Sequence, residues 1–420
     1  MSTSTKRKSG TETVSVQTAS PARSAAADAS VTAVVEGLER LYRGRLGRTG
    51  TIPLHEPWFR GQEWTYVKEC LDTGWVSTAG AFVERFERDI ARVCGVDHAV
   101  AVANGTVGLH IALHALGVTA GDLVVCPAIS FVATANSVAH CGAEPLFIDV
   151  DDRLGLDAGE LERFFGEECE AAGGSLRHLA SGRRIGAVLA VHLFGHPADI
   201  ERLAALCAAH RVPLLEDAAE ALGSRYRERS CGTFGRAGVL SFNGNKILTT
   251  GGGGAVITDD AALARRIKHL TTTARVAHGW EYDHDEVGYN YRLPNLNAAL
   301  GCAQLEWLDD FLARKRRLAA MIAEALDGIA GIELLREPQG ARSNFWLNGF
   351  LLERAELRDA VLTRTNERGL QTRPCWRLLA DLPMYRGAPV ARAGLARARE
   401  RAARLVNIPS SPNLVSDDAV

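Results

Sequence analysis

Lys246 is the residue of this sequence with the clearest claim to chemistry. It closes the run Ser241-Phe242-Asn243-Gly244-Asn245-Lys246, which follows an apolar stretch and precedes Thr249, Thr250 and four glycines, Gly251 to Gly254. A lysine leaving the end of a buried strand can be partly desolvated, which favours the neutral amine and its attack on an aldehyde. The chemistry on offer is therefore capture of a carbonyl group as a Schiff base. The glycines would let the backbone turn tightly beside a bulky ligand. Taken alone, a lysine before glycines is more often a surface residue, so the rest of the chain has to decide.

About thirty residues earlier, Leu214-Leu215-Glu216-Asp217-Ala218-Ala219-Glu220-Ala221 ends another apolar run with carboxylates. In open α/β sheets ligands bind beyond the carboxyl ends of strands, so Asp217 and Lys246 can face one site. A carboxylate there suits a pyridine-type cofactor, whose ring nitrogen it would keep protonated, and small Ala219 would allow close contact with the ring face. Asp217 reads equally well as a helix N-cap. Earlier still, Asn104-Gly105-Thr106 follows an apolar run and opens a helical pattern at 107–116. Free N–H groups and the dipole at that helix start suit a phosphate, and the Ser241 hydroxyl could donate to the same group. Phe131 could stack on the ring face opposite Ala219, or could simply belong to the core.

These residues need a scaffold of strands and helices. Apolar runs at 98–102, 123–125, 146–150, 185–191, 212–215, 239–242 and 255–258 alternate with helical patterns, which predicts a mostly parallel sheet covered on both faces. After residue 301 the texture changes to a helix at 311–326, a strand-like run at 345–352 and a helix at 356–368, giving a smaller α/β domain. The expected organisation is a disordered tail at 1–30, a lead-in helix and turn at 31–50, a large domain at 51–300 and a small domain at 301–420. The tail is expected because Ser, Thr, Ala and Lys offer too little apolar surface to offset ordering entropy.

With 420 residues and a formal charge of −2, the chain carries no overall field that would gather nucleic acid or an anionic membrane. Arg-rich 392–404 fits an amphipathic helix with a solvated face. No apolar run approaches a membrane span and no signal peptide is evident, so a cytoplasmic protein is expected. The nine cysteines form no C-x-x-C pair and are expected to be reduced packing residues. His192, in Val191-His192-Leu193-Phe194-Gly195-His196, ends a strand, but no carboxylate-rich spacing supports metal, so none is expected.

In this order and spacing, Asn104-Gly105-Thr106, the aromatic turn at 127–135, the acid motif at 216–223, the lysine motif at 241–246 and Gly288-Tyr289-Asn290-Tyr291-Arg292-Leu293 resemble the nucleotide-sugar aminotransferases of the DegT/DnrJ group. These are fold-type I enzymes that use pyridoxal 5′-phosphate (PLP). The resemblance covers residues 52–412. It implies a large domain with a seven-stranded, mostly parallel sheet and a smaller C-terminal α/β domain. It also implies PLP carried by Lys246, Asp217 on the pyridine nitrogen, and phosphate contacts from Gly105, Thr106 and Ser241. Asn290 would reach the neighbouring subunit's cofactor, so a homodimer with shared sites is expected. An amino acid, glutamate by the same resemblance, would give its amino group to PLP, and a nucleotide-linked keto sugar would receive it.

His55-Glu56-Pro57, the segment at 66–77 and Phe242-Asn243-Gly244-Asn245-Lys246 are more specifically similar to the legionaminate and bacillosamine pathway branch, which aminates C4 of UDP-linked 4-keto-6-deoxy-N-acetylhexosamines. Ser77 and Gly80 match a segment at the mouth of the site, and Arg373 and Trp376 fall where the small domain reaches the substrate. A GDP-linked keto sugar giving perosamine is the alternative substrate, and a PLP-binding regulatory protein without turnover is the alternative class. Glu220 stands where many members carry glutamine or histidine. An ionised carboxylate cannot donate to the cofactor's phenolic oxygen, which leaves its role open.

Overall fold

The computed structural model describes residues 21–417. All seven expected strands form and join in a single sheet: β1 (His98–Val102), β2 (Leu123–Pro127), β3 (Glu144–Ile148), β4 (Ile185–Val191), β5 (Leu214–Asp217), β6 (Ala237–Ser241) and β7 (Gly254–Thr258). Their order across the sheet is β1-β7-β6-β5-β4-β2-β3. β2 through β6 are parallel, and β7 runs antiparallel to both β1 and β6. The reversal has a local cause. Residues 242–253 contain no crossover helix, so the chain returns beside β6 as a hairpin does.

Both faces of the sheet are covered. Val124, Cys126, Leu189, Leu215, Val239 and Val256 pack with the helix Gly105–Ala115 and its neighbours, while alternate residues such as Val125, Val188 and Leu214 point to the other face. The two-residue alternation of strand side chains produces this division, and burial on both sides explains why the strands are apolar throughout.

The C-terminal part begins with the helix Leu308–Leu326 and adds an antiparallel four-stranded sheet, in the order Ile332–Leu334, Asn348–Leu352, Leu405–Ile408, Arg373–Pro374. The lead-in helix spans Pro21–Glu39, so it starts ten residues before the expected Val31. Pro21 is suited to a first helical position, and Ala-rich 22–29 propagates the helix. Of the expected tail, residues 21–30 are thus helical, and residues 1–20 lie outside the described residues. Val34, Leu38 and Tyr42 are fully buried, packed with Leu318, Met321, Phe350 and Val361 of the C-terminal part.

The Arg-rich segment forms the helix Ala396–Arg404, whose Arg397, Arg399 and Arg401 pair with Asp157, Asp381 and Asp152. All nine cysteines are free thiols, and eight are buried. Among the described residues no helix is long and apolar enough to cross a membrane.

Candidate active site

Sheet register brings the acid motif and the lysine motif to one edge. Asp217 is the last residue of β5 and pairs with Val191 of β4 on one side and Val239 of β6 on the other. Two residues beyond Val239, Ser241 ends β6, and a turn closed by the Lys246 N–H on the Asn243 carbonyl (2.9 Å) carries the lysine. Lys246 Nζ lies 3.3 Å from Glu220 Oε1, and the two side chains are 12% and 6% exposed.

Asp217 is buried. The Thr134 hydroxyl donates to its Oδ2 (2.7 Å) and the Ala219 N–H to its Oδ1 (3.2 Å). Burial pushes the Asp217 carboxyl up, against the opposing pull of Thr134, Ala219, Lys246 and His192. Burial likewise raises Glu220, with Lys246 and the Phe194 N–H pulling it down.

Asn104 caps the helix Gly105–Ala115, its Oδ1 accepting from the Val107 N–H at 3.0 Å. A Cβ on Gly105 would sit 3.1 Å from Ser241 Cβ, so the helix start and the end of β6 adjoin and Gly105, Thr106 and Ser241 are brought together. Gly254 lies under the same turn, where a Cβ would come within 2.7 Å of the Asn104 backbone. That glycine is required by the protein's own packing rather than by a ligand.

The aromatic candidates converge from distant parts of the sequence. Phe131 is 51% exposed, and its ring lies edge-on to Trp376 at 5.9 Å. Trp376 in turn stacks on Phe194 at 5.4 Å. Other candidates are engaged elsewhere in the chain. Arg373 donates to Asn366 Oδ1 (2.9 Å) and the Thr372 carbonyl (2.8 Å). Ser77 is exposed, and its carbonyl accepts from the Asn295 N–H (2.5 Å). Gly80 has φ of 151°, and a Cβ there would overlap the Asn295 side chain at 2.3 Å. The Asn295 amide also bonds the Trp75 carbonyl and the Phe82 N–H, so it shapes the whole loop. Asn290 is exposed, and its Oδ1 accepts from Arg292. His192 is buried with both ring nitrogens engaged, by Glu216 Oε2 (2.9 Å) and the Ala198 N–H (3.2 Å), as suits a structural histidine.

Two residues at the lysine escape sequence reading. Trp346 comes from the C-terminal part, and Lys246 Nζ sits 3.8 Å from the centroid of its ring. His55, 6.5 Å from Trp346 by ring centroids, has both ring nitrogens enclosed and without hydrogen-bond partners among the described residues. Burial, Lys315 and Lys246 all push its pKa down, so its imidazole is neutral. Only the aromatic character of Phe345-Trp346 and the His55-Glu56-Pro57 match could have hinted at them.

The sheet thus gathers a buried strand-end carboxylate, a lysine and the N-terminus of the helix that follows β1 at the carboxyl ends of its parallel strands. The model of the DegT/DnrJ/EryC1/StrS aminotransferase family matches residues 59–420, and the chain belongs to that family. It is a PLP-dependent sugar aminotransferase. The chain is 34% identical to a GDP-perosamine synthase of Escherichia coli O157:H7, over 88% of this chain and 96% of that protein. It is 35% identical to a GDP-perosamine synthase of Vibrio cholerae, over 87% and 95%. Among solved structures, the aminotransferase TlmJ from Streptoalloteichus hindustanus superposes with a TM-score of 0.77 at 32% identity, over 88% of this chain and 95% of that one.

Proposed function

We propose that this sugar aminotransferase moves an amino group from an amino acid, glutamate, to C4 of a GDP-linked 4-keto sugar, giving a perosamine-type amino sugar. The observation that carries the substrate is similarity along nearly the full length of two GDP-perosamine synthases. The UDP-linked 4-keto-6-deoxy-N-acetylhexosamine reading rests on the short segments around His55, at 66–77 and at 242–246, and is the second reading.

The residues suit PLP. Asp217 accepts hydrogen bonds from two neutral donors and is underpaid for its burial, which a ring N–H⁺ would correct. The adjoining Gly105, Thr106 and Ser241 suit its phosphate, and Lys246 its aldehyde. When bound, PLP supplies a carbonyl carbon that amines can bond in turn and a ring that accepts the electrons left by a breaking Cα–H bond. In this reading Asp217 holds the proton on the ring nitrogen. Lys246 would hold the proton at its Nζ and pass it to and from the reacting carbons as general acid and base. Phe131 and Ala219 would confine the ring, and Trp376, edge-on to Phe131, would border it from the C-terminal part. Exposed Asn290 supports a homodimer in which each subunit completes its partner's site. Ser77, Gly80 and Arg373 are the proposed substrate contacts, acting through the loop and strand that Asn295 and Asn366 hold.

The test is to supply glutamate with GDP- and UDP-linked 4-keto sugars in parallel and follow amino-sugar formation by mass. Amination of the GDP sugar alone is expected. Amination of the UDP sugar alone would transfer the assignment to the second reading.

A further inference from the structure

Lys246 Nζ has two close neighbours of different kinds, and both are clamped. Glu220 offers Oε1 to the lysine, while its Oε2 accepts from the Phe194 N–H at 2.8 Å, which fixes the carboxylate plane. Trp346, 3% exposed, presents its ring face to the same nitrogen. Its indole N–H donates to the Asn245 carbonyl (2.7 Å), the residue before the lysine. Its backbone N–H donates to Asn344 Oδ1 (2.8 Å), and its carbonyl accepts from buried Lys315 Nζ (2.8 Å). Asn344 also donates to the carbonyls of Glu220 and Leu222, both at 2.9 Å. One segment of the C-terminal part therefore fixes both the ring facing Lys246 and the backbone that carries Glu220.

A carboxylate and a π face are the two surroundings that stabilise an ammonium group where water is scarce. A glutamine or a histidine in place of Glu220 would hydrogen-bond the lysine without a full opposing charge. The other titratable groups around the cluster are Asp217 and His55, which face Lys246, Cys375, which faces Glu220, and Lys315 behind the Trp346 carbonyl.

We propose that Glu220 and Trp346 form a seat for the Lys246 nitrogen, with Glu220 as its catalytic counter-charge and Trp346 as a positioning residue, so that the nitrogen keeps its aim between proton transfers. The proposal rests on the reading of Lys246 as the PLP lysine. It is tested by titrating the visible absorption band of the PLP-loaded full chain with pH, for the wild type and for Glu220→Gln, Trp346→Leu and Trp346→Phe.

The carboxylate and the ring both favour the protonated nitrogen. The band's titration midpoint should therefore fall by about one pH unit in Glu220→Gln, as expected on losing an adjacent opposite charge. It should fall by less in Trp346→Leu, and Trp346→Phe should restore most of that smaller shift. Should Trp346→Leu fail to fold by circular dichroism, Glu220→Gln and Trp346→Phe carry the comparison. Midpoints of Glu220→Gln and the Trp346 variants that coincide with the wild type would overturn the seat while leaving the lysine assignment intact. A wild type that forms no visible band with PLP would overturn the lysine assignment and the seat together.

Discussion

Asp217 shows how a single residue is specified by what surrounds it. It is buried at the end of a central strand, and among the described residues it is hydrogen-bonded by a hydroxyl and an amide N–H, while Lys246 and His192 offset its burial only in part. Replacing it with asparagine keeps the shape and removes the charge that would hold a proton on the ring nitrogen. We expect Asp217→Asn to lose about 10²-fold or more in kcat, in line with loss of one preorganised electrostatic group, measured by steady-state kinetics at saturating PLP. Activity within a few-fold of the wild type would count against the role.

That Lys246, Asp217 and Glu220 lie together was legible because strand-end position and motif spacing are local properties of the chain. Trp346 was not legible, because its contact with Lys246 spans one hundred positions and depends on how the C-terminal part docks. The glycine run was read as room for a ligand, yet Gly254 is needed for the close approach of the Asn104 backbone, a contact that no local pattern encodes.

Among the elements, the seven strands were visible because strands buried on both faces read as unbroken apolar runs. The antiparallel direction of β7 was not, since direction follows from the missing helix between β6 and β7. The lead-in helix is visible in the helical spacing of Val34, Val35, Leu38 and Leu41, but the alanines before it carry no apolar period and conceal its start at Pro21. Its packing is substantial. Leu38 is fully buried against the helix Leu308–Leu326 and the Asn348–Leu352 strand. Leu38→Ala should cost about 2–5 kcal/mol, the usual range for a core leucine. Urea unfolding followed by far-ultraviolet circular dichroism would measure it, and a loss under about 0.5 kcal/mol, typical of a surface site, would show that the helix is dispensable to the fold.

At the scale of the whole molecule, two buried histidines tie stability to pH. Burial holds His196 down at about 4, and burial with His140 and His114 does the same to His110. Above the ordinary value of 6.5 both folded and unfolded chains carry these imidazoles neutral, and the stability is fully present. Below it the unfolded chain takes up protons that the folded chain refuses until about 4, so stability falls as pH falls through that window. At pH 5 His196 alone should account for about 2 kcal/mol at most. His196→Phe should therefore lose less stability between pH 7 and pH 5 than the wild type, by denaturant titration at each pH. Equal losses in the two proteins would remove His196 from the account.

The hairpin formed by β6 and β7 sets a timetable as well as a shape. Both ends of the lysine segment are anchored in neighbouring strands, so a contact between nearby parts of the chain can place the Lys246 backbone soon after residue 258 has been synthesised. Its side chain then waits for Trp346, which emerges almost ninety residues later and must dock as part of the C-terminal segment. Between residue 258 and Trp346 lie several seconds of synthesis, at about 5–20 residues per second. Any cofactor captured before the C-terminal segment docks would meet Lys246 without Trp346 beside it.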